Sequence, residues 1–463
     1  MSPPDMLAPA GLAPLSRALR SGELTSQSLV EAALARIAVL EPRLQAFSHL
    51  DGERALRHAR AIDQLRAAGI DLGPLMGMPI AVKDLLTIDG MPTRAGSRLD
   101  IQDLVPPQGS FVGALNRAGC VVLGKTRTTE FAIGGYNPTH PLPWNPCDAT
   151  TRRMTGGSSH GSAVALAAGV VAFTVGTDTG GSVRWPAALC GVVGYKSSTS
   201  HWPCDGVFPM SPEMDSLGIF TRSAADAAWV EAALVGLASA PRSPSPTPPL
   251  PPPALAGLTL GLPQQHFQEQ CDVEVLRCFD EALARLRSAG ARVVDIDVPE
   301  AAEIDEVFRC LVPADMLAWL GRDRVKQQGD RLDPVAAQRL EAGLQLLADD
   351  YARMAARRRT LQAMVRQRGA GIDAWITPTV PMLPGPVADY TTVDEIAAWN
   401  RRATRNTRPA NLFNRCGISL PIQHLGAPLP VGLQLCTHAD DDARLLGLAV
   451  AVEALLGSPE RPG

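Results

Sequence analysis

Residues 156–196 read GGSSHGSAVALAAGVVAFTVGTDTGGSVRWPAALCGVVGYK. A helix of small residues, Ala163 to Ala168, lies between two turns rich in Gly, Ser and Thr. The first turn is Gly156-Gly157-Ser158-Ser159-His160-Gly161-Ser162, the second Gly176-Thr177-Asp178-Thr179-Gly180-Gly181-Ser182-Val183-Arg184. Each sets a serine among residues that allow unusual dihedrals and close backbone approach. In the second, Thr179, Gly180, Gly181 and Ser182 are placed to turn several N–H groups toward one point, a nest suited to an anion or a developing oxyanion. Taken singly, either segment reads more plainly as a tight turn. The phosphate-binding pattern GxxxxGK[ST] does not occur. Gly157-Ser158-Ser159-His160-Gly161 formally satisfies GxSxG, which would make Ser159 a nucleophile with His424 or His438 as base. That elbow must follow a buried strand, and residues 149–155, ATTRRMT, are too polar to be one.

Upstream, Pro79 to Val82 forms a short apolar strand that delivers Lys83 and Asp84 at its end. Burial there would disfavour the ammonium and make Lys83 a base near neutrality. The plainer reading is a lysine that snorkels to a surface ion pair with Asp84. Further out, helices are expected from Thr25 or Ser26 through Leu40, from Ala55 to Ala68, from Asp272 to Ser288, across 314–368 and from Asp440 to Leu456. Strands are expected at Val121–Leu123, Leu258–Leu262, Arg292–Val298 and Asp373–Thr377. Residues 241–253, PRSPSPTPPLPPP, read as an extended surface connector. The alternation implies an α/β protein with a helix-covered sheet. Residues 1–70 are read as N-terminal helices packing on a core domain of residues 71–463.

The chain has 463 residues, 46% of them apolar, enough for a large core. Its formal charge is −4, with no basic stripe that would suit nucleic acid. The longest apolar run, Ala163 to Val175, is too short to span a bilayer, and the first residues lack the basic start of a signal peptide. Nine cysteines occur singly, without metal-ligand spacing, which fits reduced thiols and a cytoplasmic location.

The stretch Gly156–Lys196 resembles the signature of the amidase signature family, whose pattern is roughly GGSSGGS, a small-residue helix, GTDTGGS[IV]R, PA, CG and G-[LFY]-K. GMPIAVKD at 77–84 is similar to the family's lysine segment, and Thr129-Glu130-Phe131 with the following glycines to its pocket loop. Asp215–Gly218 with Thr221-Arg222, Ile376–Thr379 and Pro430–Leu435 resemble further family segments. The resemblance implies one α/β unit around a single large, mixed, twisted β-sheet covered by helices on both faces. It implies a Ser–cis-Ser–Lys triad in which Ser182 is the nucleophile, Ser158 the bridge and Lys83 the base. The N–H groups of Thr179, Gly180, Gly181 and Ser182 would form the oxyanion hole, and Asp178 and Arg184 would support the loop. Gly134, Gly135, Tyr136 and Trp185 are the expected substrate pocket. Ser159, Ser162 and Lys196 are expected to be scaffold. No metal or organic cofactor is implied.

Two departures from the family pattern matter. His160 replaces a usual glycine and reads as space filling or as a pocket residue. Trp185 stands where the A-type chains of glutaminyl-tRNA amidotransferases usually carry Gln. It offers an apolar wall for a substrate, or it belongs to the core. The expected activity is hydrolysis of C–N bonds in amides, aryl or apolar, with carbamates (urethanes) and esters open to the same chemistry through an acyl-enzyme. The alternative is an A-type amidotransferase subunit that hydrolyses glutamine in a complex. The expected partner is a small amide or carbamate, with no nucleic acid and no membrane. The oligomeric state stays open, a homodimer being one option.

Overall fold

The computed structural model describes residues 11–238 and 252–459. Of the proline-rich connector, residues 241–251 lie outside the described residues, as do the first ten residues on which the reading of a missing signal peptide rests. One sheet of 11 strands organises the chain. The strands are β1 (Phe47–Leu50), β2 (Pro79–Lys83), β3 (Val121–Thr126), β4 (Phe173–Thr177), β5 (Val193–Lys196), β6 (Leu217–Thr221), β7 (Thr259–Pro263), β8 (Arg292–Ile296), β9 (Ala374–Pro378), β10 (Arg415–Pro421) and β11 (Gly432–His438). Their order is β1-β3-β2-β4-β6-β5-β10-β11-β9-β7-β8. Parallel pairs β2–β3, β2–β4, β7–β8 and β7–β9 flank an antiparallel centre, so the sheet is mixed, as expected.

The strands expected near 121, 258, 292 and 373 are present within a few residues of those bounds. The helix from Ser26 to Leu44 begins with a capping box between Thr25 and Ser28, and Asp272 precedes the helix Val273–Ser288. The arginine-rich region resolves into the helices Ile304–Leu320, Arg322–Gln328, Pro334–Leu344 and Ala348–Arg368. One expectation needs correction. Residues 1–70 are not helices alone, because β1 pairs antiparallel with β3 at the sheet edge. The leucines of Leu12–Ser21 also join the main core cluster. Among the described residues no helix is long and apolar enough to cross a membrane.

The topology prepares the site. Parallel pairing sets Val82 beside Val175, so the carboxyl ends of β2 and β4 bring Lys83 and Thr177 to one place. Crevices at the carboxyl ends of strands are where α/β sheets commonly hold ligands. The helix His160–Ala167 follows the first glycine-rich turn and is buried almost throughout. A Cβ on Gly161 would stand 2.3 Å from the Ala46 carbonyl oxygen, so only glycine lets this helix approach so closely.

Candidate active site

Lys83 is fully buried at the end of β2. It does not pair with Asp84, which pairs instead with Lys125 Nζ at 3.1 Å. Lys83 Nζ donates to Ser158 Oγ at 2.6 Å and to Thr177 Oγ1 at 2.8 Å. Burial pushes its pKa down to about 7, against the opposing pull of Asp178 and Asp215. An amine in that state keeps a lone pair for a proton at neutral pH.

Ser158 is fully buried, and the Gly157–Ser158 peptide is cis. Ser159 N–H donates to the carbonyl of Ser182 at 3.3 Å, which ties the two serine turns together. Ser159 Oγ donates to the Thr177 carbonyl at 3.2 Å. No strand precedes Ser159, and its hydroxyl is spent on the scaffold, so the elbow geometry is absent. Ser162 and Lys196 likewise bond to main-chain carbonyls, those of Val175 and of Ser197 and Arg415.

Ser182 is 9% exposed and lines a narrow, half-open cleft. Its loop is held from beneath by Asp178, whose carboxylate takes two guanidinium bonds from Arg184, at 3.1 and 2.9 Å. Burial would raise this carboxyl, but Arg184 outweighs it and holds Asp178 well below the usual range. Asn411 adds a bond at 2.9 Å, and Arg184 reaches Gln434 at 2.7 Å. Asp178 also takes the Gly181 N–H at 2.8 Å. Of the four N–H groups expected to face an oxyanion, that of Gly181 is therefore already engaged by a carboxylate. The N–H groups of Thr179, Gly180 and Ser182 make no hydrogen bond among the described residues.

Gly181 has φ +122°, and a Cβ there would stand 2.0 Å from Thr407 Oγ1. Thr407 itself donates to the Gly180 carbonyl at 2.8 Å. Gly181→Ala is therefore expected to displace the loop, lowering stability by about 1–3 kcal/mol and removing activity. Thermal melting and turnover measured on the purified variant check both.

The cleft is lined by Gly134, Ser182, Trp185, Phe308, Arg339 and Arg408, among others. Gly135 and Tyr136 do not line it. The expected apolar wall is thus only part of the lining. Trp185 is 1% exposed and packs 4.9 Å from Trp399, ring centre to ring centre, within a cluster containing Leu142, Met154 and Met382. A Cβ on Gly135 would strike its ring at 2.2 Å, so Trp185 is a core residue with one edge in the cleft. Trp185→Ala is expected to cost about 3–5 kcal/mol, readable as a lower denaturation midpoint.

His160 is buried and does not line the cleft. Its Nδ1 has no hydrogen-bond partner, and burial, reinforced by Lys83, pushes its pKa down to about 3. It stays neutral at ordinary pH.

The loop carrying Gly134 is fastened by a buried polar cluster. Glu130 accepts from Ser97 Oγ at 2.7 Å and from Asp333 N–H at 2.6 Å. Asp333 in turn caps the helix Pro334–Leu344 and accepts from Asn137 at 3.2 Å. Burial pushes Glu130 up to about 7. Sequence reasoning missed the hydroxyl of Thr177 as a partner of Lys83, although Thr177 stands in the second serine turn. It also missed Phe308, Arg339, Asn400, Thr407 and Arg408. These five lie in no motif, and long-range folding alone brings them to the serine loop.

A family model described as Amidase matches residues 28–446. The chain belongs to the amidase signature family. A curated relative, 2-amino-5-chloromuconic acid deaminase of Comamonas testosteroni, is 37% identical over 450 residues, covering 95% of this chain and 94% of that protein. The A-type chain of the glutamyl-tRNA(Gln) amidotransferase from Chloroflexus aggregans is 34% identical, with 94% of each protein covered. The native peptide amidase of Stenotrophomonas maltophilia superposes with a TM-score of 0.83 at 29% identity, covering 99% of each chain. The protein is thus an amidase-family enzyme acting on amides, and the single mixed sheet is the fold of that family.

Proposed function

We propose that this amidase cleaves the C–N bond of a small amide by nucleophilic catalysis from Ser182. The observation that carries the reading is the wholly buried, near-neutral Lys83 bonded at 2.6 Å to Ser158, on a turn hydrogen-bonded to the Ser182 loop. Serine needs a base to take its proton as it attacks. Lys83 takes the proton of Ser158 Oγ while Ser158 takes that of Ser182, whose Oγ bonds to the carbonyl carbon. The carbonyl π electrons move to oxygen, and the N–H groups of Thr179, Gly180 and Ser182 hold that oxyanion. When it collapses, the C–N bond breaks and the relay returns the proton to the departing nitrogen. A water then gives its proton to the same relay, attacks the acyl carbon and releases the acid, restoring Ser182. Ser182 Oγ makes no hydrogen bond among the described residues, so its bond to Ser158 forms with substrate in place, a common change between free and bound enzymes.

The relative named a deaminase of an amino-substituted acid supports release of nitrogen by C–N cleavage. The test is a panel of anilides, aliphatic amides, carbamates and esters given to wild type and Ser182→Ala. Amide turnover that depends on Ser182 is expected, and turnover indifferent to Ser182 counts against the proposal. A second reading, glutamine hydrolysis within a complex, draws support from the amidotransferase relatives. Glutaminase activity seen only with added partner subunits would favour it.

A further inference from the structure

The cleft that Ser182 lines carries more positive charge than its neighbours neutralise. Arg339, from the helix Pro334–Leu344, lines the cleft and makes no ion pair or hydrogen bond among the described residues. Arg408 lines it too, with a side chain 4% exposed, and pairs with Asp305 at 2.6 Å. Arg408 Nε is buried and has no hydrogen-bond partner. Both guanidinium groups gather on Phe308, 5.8 Å and 4.6 Å from its ring centre. Phe308 in turn sits against Gly180 of the serine loop, where a Cβ would be 2.8 Å from the ring. Arg401 adds to the positive field on both, and Asp305 is the carboxylate that offsets it. Two arginines thus line the cleft against one acid.

The remaining polar atoms agree. Asn400 Oδ1 accepts from Gly135 N–H at 2.9 Å, which leaves its amide Nδ2 without a partner among the described residues. Thr404 Oγ1 donates to the Asn400 carbonyl at 2.7 Å. The lining therefore carries N–H donors on Arg339 and Asn400 Nδ2 and few acceptors, and the buried Arg408 adds positive charge. Holding the Arg339 guanidinium partly desolvated and without an ion pair is unfavourable unless a ligand completes it. A planar fork of donors matches a carboxylate.

We infer that the substrate carries a free carboxylate, bound by Arg339 with Arg408 and Asn400, at the end of the molecule away from the scissile carbonyl. Arg339 is the specificity-determining residue of this cleft. The inference rests on the proposal that Ser182 attacks at this same cleft, and it names the substrate class: monoamides of dicarboxylic acids and related amide-bearing organic acids. The apolar edges of Trp185 and Phe308 pack the chain between the two ends.

The test uses two series on the intact enzyme: the monoamides from succinamate to adipamate, and the corresponding neutral diamides. Wild type is expected to prefer the best monoamide over its diamide by about 10- to 100-fold in kcat/KM, the scale of hydrogen bonds to a charged group. Arg339→Gln is expected to erase most of that ratio through KM, and Arg339→Lys to restore part of it. The ratio is internal to each variant, so a loss of folded protein cancels. Equal turnover of acid and diamide, or a ratio unchanged in Arg339→Gln, overturns the inference. If wild type cleaves neither series, the hydrolase proposal is judged by its own substrate panel, and calorimetric titration with succinate and adipate decides the carboxylate site on its own. Binding that Arg339→Gln loses sustains the site. No binding up to about 10 mM, a range in which even weak single-site contacts register, refutes it.

Discussion

Ser182→Ala is expected to lower kcat for the best amide by about a millionfold, the scale seen when the nucleophile of another serine hydrolase is removed. The Ser182 hydroxyl makes no hydrogen bond among the described residues, and the residue belongs to no packing cluster, so the hydroxyl can go without structural cost. Melting temperature should hold within about 0.5 kcal/mol of equivalent stability, as for other changes that break no buried contact. Ser159→Ala makes the contrast. It removes a bond to the Thr177 carbonyl and should lose about 1 kcal/mol of stability while keeping most activity. An inactive Ser159→Ala beside an active Ser182→Ala would reverse the assignment.

The second large effect concerns Lys83. Its neutral form is the base, and its pKa lies at about 7, so kcat/KM is expected to climb with pH through that value and then level. Lys83→Met should lose about 10²–10⁴-fold in rate, the usual worth of a positioned base, and the rising limb should vanish with it. The same variant should melt close to wild type at pH 7, because relief of a desolvated amine is set against two buried hydroxyls, of Ser158 and Thr177, left without their donor. The sign of the linkage follows. The folded-state pKa is depressed from 10.5 to about 7, so between those values the unfolded chain holds the extra proton. Wild-type stability, measured against Lys83→Met, is therefore expected to rise with pH across that window. A flat difference would mean that Lys83 is not buried as described.

What could be read from the chain alone divides along physical lines. The elements bounded by local signals were legible: Thr25 caps its helix, Asp272 stands at the start of another, and the apolar run before Lys83 is β2. The central strands were not. β4, β5, β6, β10 and β11 are buried at nearly every residue, so FTVGT, VGYK and LGIFT carry no alternation to betray them. β1 is a short edge strand among helices and was hidden for the opposite reason. At the site, Lys83, Ser158 and Ser182 stood out because their segments are unusual in composition. The loss of Gly181 N–H to Asp178 needed coordinates, since Gly-rich sequence does not say which donors a neighbouring carboxylate takes. Arg339 and Arg408 are two of many arginines in the C-terminal half, and the packing of Phe308 and Thr407 against Gly180 and Gly181 brings them to the cleft.

Whether Ser182 is the nucleophile can be read directly by covalent labelling. A fluorophosphonate reacts with an activated serine to leave a stable adduct, and peptide mass spectrometry locates it. The expected result is one adduct on Ser182, formed faster as pH rises through about 7 and greatly slowed in Lys83→Met. An adduct on Ser159 or on any other serine, or labelling of Ser182 indifferent to Lys83, would contradict the account.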